Sequence, residues 1–146
     1  MADVDEVVDL WVEAWNATMP EIDFSARAIW LRERLAAHAA AGVAILCAVD
    51  GADVPLGFVT VDSATSHIDQ LAVRRRCFGA GVGTELIAAA RRVSPGGLTL
   101  EVNQENPRAA RFYRREGFVV VGEGVVGANC RKTWLMRWPG EALGVK

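Results

Sequence analysis

The amino-acid sequence predicts a mixed α/β fold, a central sheet with helices on its faces, and three observations carry that expectation. Apolar residues recur at helical spacing as far as Gly42. The period then shortens to that of strands. Beyond Val73, helical and strand segments alternate, each bounded by glycine, proline or asparagine.

From Asp3 to Ala17, residues Val4, Val7, Val8, Trp11, Val12 and Trp15 share one helical face, and Pro20 stops the helix. A second helix is expected after Ser25 as N-cap, with Ile29, Trp30 and Leu35 turned to the core and Gly42 at its end. Core packing also explains Trp11, Trp15 and Trp30 better than an aromatic wall for a cation does. Val43 to Val49 and Gly57 to Val61 read as antiparallel strands around an Asp50-Gly51 turn, and His67 to Val73 as a third strand. The turn Gly79-Ala80-Gly81-Val82-Gly83 then opens a helix from Val82 to Val93, with Leu86, Ile87 and Ala90 on one face, and Pro95-Gly96-Gly97 ends it. Leu98 to Asn103 is a strand. Pro107 to Glu116 is a helix with proline in its first turn and Gly117 as C-cap. Phe118 to Val121 and Thr133 to Trp138 close the sheet, with a glycine-rich loop from Gly122 to Lys132 between them.

At 146 residues, 51% hydrophobic and 23% charged, the chain suits one domain over residues 1–146, with a core large enough to need no metal or disulfide. Cys47, Cys77 and Cys130 match no zinc or disulfide spacing and read as reduced thiols. A net charge of −2 argues against a nucleic-acid binder. The apolar runs are too short to cross a bilayer, and the acidic start is no signal peptide, so no membrane partner and a cytoplasmic location are expected.

Chemistry concentrates between Val73 and Phe118. Glycines let a backbone approach a ligand closely, and a helix N-terminus offers unpaired N–H groups and positive dipole to an anion. A P-loop would need Gly-Lys-Ser/Thr, whereas this turn continues Gly83-Thr84-Glu85. A Rossmann turn would follow a strand near the N-terminus in a repeated βαβ frame, which is absent.

Leu71-Ala72-Val73 followed by Gly81-Val82-Gly83-Thr84, then Asn106-x-x-Ala109-x-x-Phe112-Tyr113-x-x-x-Gly117-Phe118, resembles the GCN5-related N-acetyltransferase (GNAT) superfamily from about Ile68 to Phe118. The resemblance implies that family's fold: a mostly antiparallel mixed sheet whose two central parallel strands splay apart. Its usual first strand is short or absent here, because few residues precede Val4. It also implies acetyl-CoA as cosubstrate, without a metal, and acetyl transfer to a small-molecule or peptide amine by direct attack in a ternary complex. A non-catalytic acyl-CoA sensor is the alternative.

The resemblance further implies that backbone N–H groups from Gly79, Ala80, Gly81, Val82, Gly83 and Thr84 hold the pyrophosphate, with Asn106, Ala109 and Phe112 beside the cofactor. A backbone N–H near Leu71, Ala72 or Val73 would face the thioester oxygen. Where the family carries Arg or Gln, this chain has Phe78, so that contact is lost or comes from a neighbouring arginine such as Arg76. Tyr113 takes the place of the acid that protonates the leaving thiolate. An alkylammonium with a pKa near 10 is mostly charged at pH 7, so a base is useful, and Asp69, Glu101 and His67 are the candidates. Strand alternation would put Asp69 on one face with His67, Leu71 and Val73. Acceptor specificity is expected from the first two helices and the Gly122–Lys132 loop. The apolar last strand, with Trp134, Leu135, Met136 and Trp138, is the candidate to pair across a homodimer.

Overall fold

A computed structural model of the chain describes residues 4–20, 22–126 and 131–141. Helix α1 (Val4–Thr18) leads, through a 3-10 turn at Ser25–Arg27, to α2 (Ala28–Ala40). Strands β1 (Ala44–Val49), β2 (Pro55–Asp62) and β3 (His67–Val73) follow. A second 3-10 turn, Arg75–Cys77, precedes α3 (Val82–Val93), β4 (Leu98–Asn103), α4 (Pro107–Arg115), β5 (Val119–Val126) and β6 (Arg131–Trp138). The six strands lie in the order β1-β2-β3-β4-β6-β5, and every neighbouring pair is antiparallel except β3 and β4. The expected order of elements is therefore the observed one. No strand precedes α1 among the described residues.

The sheet separates two apolar layers. Leu86, Ile87 and Ala90 of α3 and Ala110 and Tyr113 of α4 pack on Val59, Val61, Leu98, Leu100, Val102 and Met136. On the other face, Val7, Val8, Leu10 and Trp11 of α1 and Leu31 and Leu35 of α2 cover Phe58 and Ala72. Each helix spends its apolar stripe on one face, which is why a sheet with two apolar faces requires helices on both.

Four expectations need correcting. The 3-10 turn before α2 is held by Asp23, whose carboxylate accepts from the Ala26 N–H at 3.3 Å, and α2 itself starts behind Arg27 with no side-chain cap. Ile29 and Trp30 do not enter the core but are 70% and 45% exposed, because α2 turns only Leu31 and Leu35 inward. Gly122 to Val126 is not a loop but part of β5, in register with β6 up to Val126↔Arg131, while residues 127–130, Cys130 included, lie outside the described residues. Strand β6 is interior, paired with β4 on one side and β5 on the other, so it has no free edge to offer a dimer.

The most consequential irregularity is a β-bulge in β3. Val59 pairs with Leu71 and Val61 with Ile68, so Asp69 and Gln70 together oppose Thr60. The extra residue moves Leu71 and Val73 to the layer of Ile68 and sends Asp69 toward α2. Alternation is thus broken at the residue where the sequence reading relied on it. Thr60, fully buried, holds the bulge by accepting from the Gln70 N–H at 2.9 Å, and the Trp11 indole N–H donates to Gln70 Oε1 at 3.0 Å. Thr60→Val removes that acceptor while keeping the shape, and we expect it to lower unfolding free energy by about 1–3 kcal/mol. Urea denaturation checks this: an unchanged midpoint would show that Thr60 does not hold the bulge.

Candidate active site

The parallel strands β3 and β4 pair at one position, His67↔Thr99, supported by Thr99 N–H donating to Ser66 O at 2.8 Å and by His67 Nδ1 and Thr99 Oγ1 at 2.8 Å. From there they diverge, leaving the inner edge of β3 without a strand beside it toward Val73. The N–H of Arg74 donates to Leu56 O on β2 at 2.8 Å. Strand N–H groups alternate in direction, so that of Ala72 also turns to β2 and those of Leu71 and Val73 face the gap.

Beyond that edge comes the glycine turn. Gly79 and Gly81 adopt φ of +79° and +88°, and a Cβ on either would meet nothing within 4 Å, so the turn is both left-handed and open above. Gly81 is the N-cap of α3 with no side-chain hydrogen bond, which leaves the first amides of that helix without an acceptor among the described residues. Gly83 is glycine for another reason: a Cβ there would sit 2.9 Å from Phe112 Cζ, so its absence lets α4 press its phenyl ring on α3. Thr84 donates to Glu116 at 2.9 Å and joins the start of α3 to the end of α4. Asn106 caps α4 by accepting from the Ala109 N–H at 3.2 Å.

These parts line a groove of about 390 Å³ that runs along the end of β3, with α1 on one side and the starts of α3 and α4 on the other. Leu71, Ala72, Val73, Phe78, Gly79, Gly81, Gly83, Thr84, Asn106, Ala109, Phe112 and Tyr113 all line it. Ala80, Val82 and Arg76 do not. Tyr113 is 8% exposed, its ring edge-on to Phe112 and Phe118 at 5.2 and 5.7 Å between centroids, and its hydroxyl has no protein partner among the described residues. Burial pushes the phenol well above its usual pKa, so it stays protonated.

The two candidate carboxylates stand outside this wall, in different circumstances. Asp69 binds the Arg34 guanidinium through both oxygens, at 2.6 and 2.7 Å, and His38 Nε2 at 2.9 Å. Burial disfavours its charge, but the hydrogen bonds and charges of Arg34 and His38 outweigh that and hold its pKa at about 2. A carboxylate so committed is a poor proton acceptor. Glu101 lies on the exposed side of β4, where it accepts from the buried Thr133 hydroxyl at 2.7 Å. A side chain on Gly124 would meet its carboxylate at 2.8 Å, so strand β5 leaves the space Glu101 occupies. Seven further residues line the groove that sequence reasoning did not single out for it: Ala14, Thr18 and Trp15 of α1, the last stacked on Phe24; Cys77; Arg108 and Arg115 of α4; and Glu116. The signal for the arginines was their spacing, seven residues apart and hence on one helical face with Phe112.

The family model described as an acetyltransferase (GNAT) domain matches residues 24–137. The chain belongs to the GNAT acetyltransferase family. The peptidyl-lysine N-acetyltransferase YjaB of Salmonella typhimurium is 30% identical over 122 residues, which is 84% of this chain and 81% of that protein. The solution structure of apo YjaB from Escherichia coli superposes with a TM-score of 0.74 at 26% identity, covering 94% of this chain and 92% of that one. The PaiA N-acetyltransferase of Thermoplasma acidophilum, crystallised with coenzyme A, shares the fold at 16% identity with a TM-score of 0.71, covering 94% of this chain and 92% of its own.

This GNAT chain is accordingly an acyltransferase with acetyl-CoA as donor, and its residues fit that ligand. An open left-handed turn, uncapped helix amides and two guanidinium groups suit phosphate, while the free edge of β3 suits an amide-bearing arm. For Asp69 the fold predicts a structural role with a pH signature. Its folded pKa lies below the unfolded value of about 3.9, so its contribution is present above that value and is lost as pH falls toward 2. Asp69→Asn should therefore destabilise the protein at pH 7 by more than at pH 2.5, as measured by denaturant unfolding. A gap of equal size at both pH values would contradict this.

Proposed function

We propose that this enzyme transfers the acetyl group of acetyl-CoA to the side-chain amine of a protein lysine by direct attack in a ternary complex, with Glu101 as base and Tyr113 as acid. The observation that carries the reading is the groove itself, which gathers the glycine turn, the free edge of β3 and the Tyr113 phenol along one path. The YjaB relatives are named as peptidyl-lysine N-acetyltransferases, which supports a protein lysine over a small amine. A single domain acting in the cytoplasm, without nucleic acid or membrane, completes the proposal. No described helix is long and apolar enough to cross a membrane. If a homodimer forms, the edge left for it on this side of the sheet is β5, with Val119, Val121 and Val125 exposed, rather than β6.

When bound, acetyl-CoA supplies the acetyl thioester. The Leu71 and Val73 N–H groups then offer donors to the oxygen on which charge develops, each worth up to about 3 kcal/mol in such sites. Glu101 is exposed and fixed by Thr133, with no cation paired to it among the described residues, so we assign it the proton of the attacking amine, taken directly or through a water. Tyr113 holds a proton at its hydroxyl and can give it to the departing sulfur. A thiol has a pKa near 8.5 and leaves tolerably unaided, so Tyr113→Phe should slow kcat by about 10- to 100-fold rather than abolish it.

Free-thiol release from acetyl-CoA, run with lysine peptides beside a panel of small amines, tests the acceptor. Lysine peptides should accelerate release above hydrolysis; acceleration by small amines alone would overturn the protein-lysine reading. Glu101→Gln separates chemistry from structure. Its deficit should shrink as pH rises toward the amine's own pKa near 10, where no base is needed. A deficit constant with pH would remove Glu101 from the role.

A further inference from the structure

The glycine turn has backbone donors, but the residue that opens it, Phe78, brings no charge where an arginine or glutamine was expected. The arginines just before it are no substitute. Arg74 is occupied, with Nε donating to Pro55 O at 3.0 Å and its guanidinium 3.6 Å from Glu13, and Arg76 is exposed and absent from the groove wall. A guanidinium arrives from the opposite wall instead. Arg108, in the first turn of α4, places Cζ 4.0 Å from the centroid of the Phe78 ring. Arg108 lines the groove and has no carboxylate partner among the described residues.

A guanidinium stacked on a ring keeps its N–H fork free in its own plane and loses little further freedom when an anion arrives. Phe78 is anchored for this, since it packs against the α1–α2 apolar layer while presenting its other side to Arg108. We propose that Phe78 and Arg108 together form one phosphate subsite: the ring is the platform, and the guanidinium binds the diphosphate of acetyl-CoA where it meets the glycine turn. The charge that an arginine at position 78 would carry is thus delivered across the groove from α4. This inference rests on acetyl-CoA being the donor.

Calorimetric titration with CoA distinguishes the two. Wild-type protein should bind CoA; if it does not, the donor reading itself falls. Given binding, Arg108→Ala should raise Kd about tenfold, equivalent to about 1.4 kcal/mol, with the thermal midpoint unchanged. The same ratio should appear with dephospho-CoA, which keeps the diphosphate, and vanish with pantetheine, which lacks it. Arg111→Ala, on the same helix but outside the groove, should leave Kd unchanged. Phe78→Leu should weaken binding in the wild-type background and add nothing to Arg108→Ala, as coupled residues do. Adding Phe78→Arg to Arg108→Ala should restore most of the affinity. A Kd within twofold of wild type for Arg108→Ala, a loss that persists with pantetheine, or a loss that disappears with dephospho-CoA would each overturn the subsite.

Discussion

Strands β3 and β4 run parallel yet pair at a single register position, His67↔Thr99, and the function of the molecule depends on what that failure to pair leaves open. Parallel neighbours normally exchange hydrogen bonds along their length, and unpaired backbone groups in a protein interior are costly. Here the cost is avoided because the strands separate around a groove, so the amides of Leu71 and Val73 reach a space a ligand can enter. The sheet remains paired on both sides, with β1 and β2 flanking one strand and β6 and β5 the other. The cleft is held by its walls and needs no closing loop to exist.

The walls then divide the chemistry between backbone and side chains. In the reading we propose, phosphate recognition falls mainly to amides, which have no pKa and do not depend on side-chain type beyond the glycines that expose them. In the mechanism we propose, proton handling falls to two groups in contrasting surroundings: a buried phenol that stays protonated, and an exposed carboxylate that accepts from the Thr133 hydroxyl. Asp69, similar to Glu101 in residue type, is withdrawn from such work by Arg34 and His38 and serves instead to tie α2 to the sheet.

Much of this was legible in the sequence, for reasons particular residues make plain. Helix α3 and strand β4 were bounded correctly because glycine, proline and asparagine punctuate them, strand β3 was bounded correctly without such residues beside it, and the order of all elements followed from the change of period. The groove-lining glycines were named because a turn that opens a helix onto an anion calls for them, whereas Asn106, Phe112 and Tyr113 were named through the resemblance of their motif to the GNAT family. What the sequence did not show was long-range or irregular. The bulge at Asp69 and Gln70 depends on Thr60 of another strand, so alternation misplaced Asp69. The glycines of β5 looked like a loop, although one of them makes room for Glu101. Arg108 was not singled out because its partner, Phe78, is thirty positions away. Residues 71–73 and 79–84 were identified together, but only the structure shows that Leu71, Ala72 and Val73 face one cavity with Gly79, Gly81, Gly83 and Thr84.

The central claim is that donor binding occupies the gap between β3 and β4 through backbone amides. It is tested most directly by titrating isotope-labelled protein with CoA and following amide resonances by NMR. The account predicts the largest shifts at Leu71, Val73, Gly79, Gly81, Gly83 and Thr84, with β1 and the solvent face of α2 unmoved. Saturable binding that leaves Leu71, Val73 and the glycine turn unperturbed would contradict it.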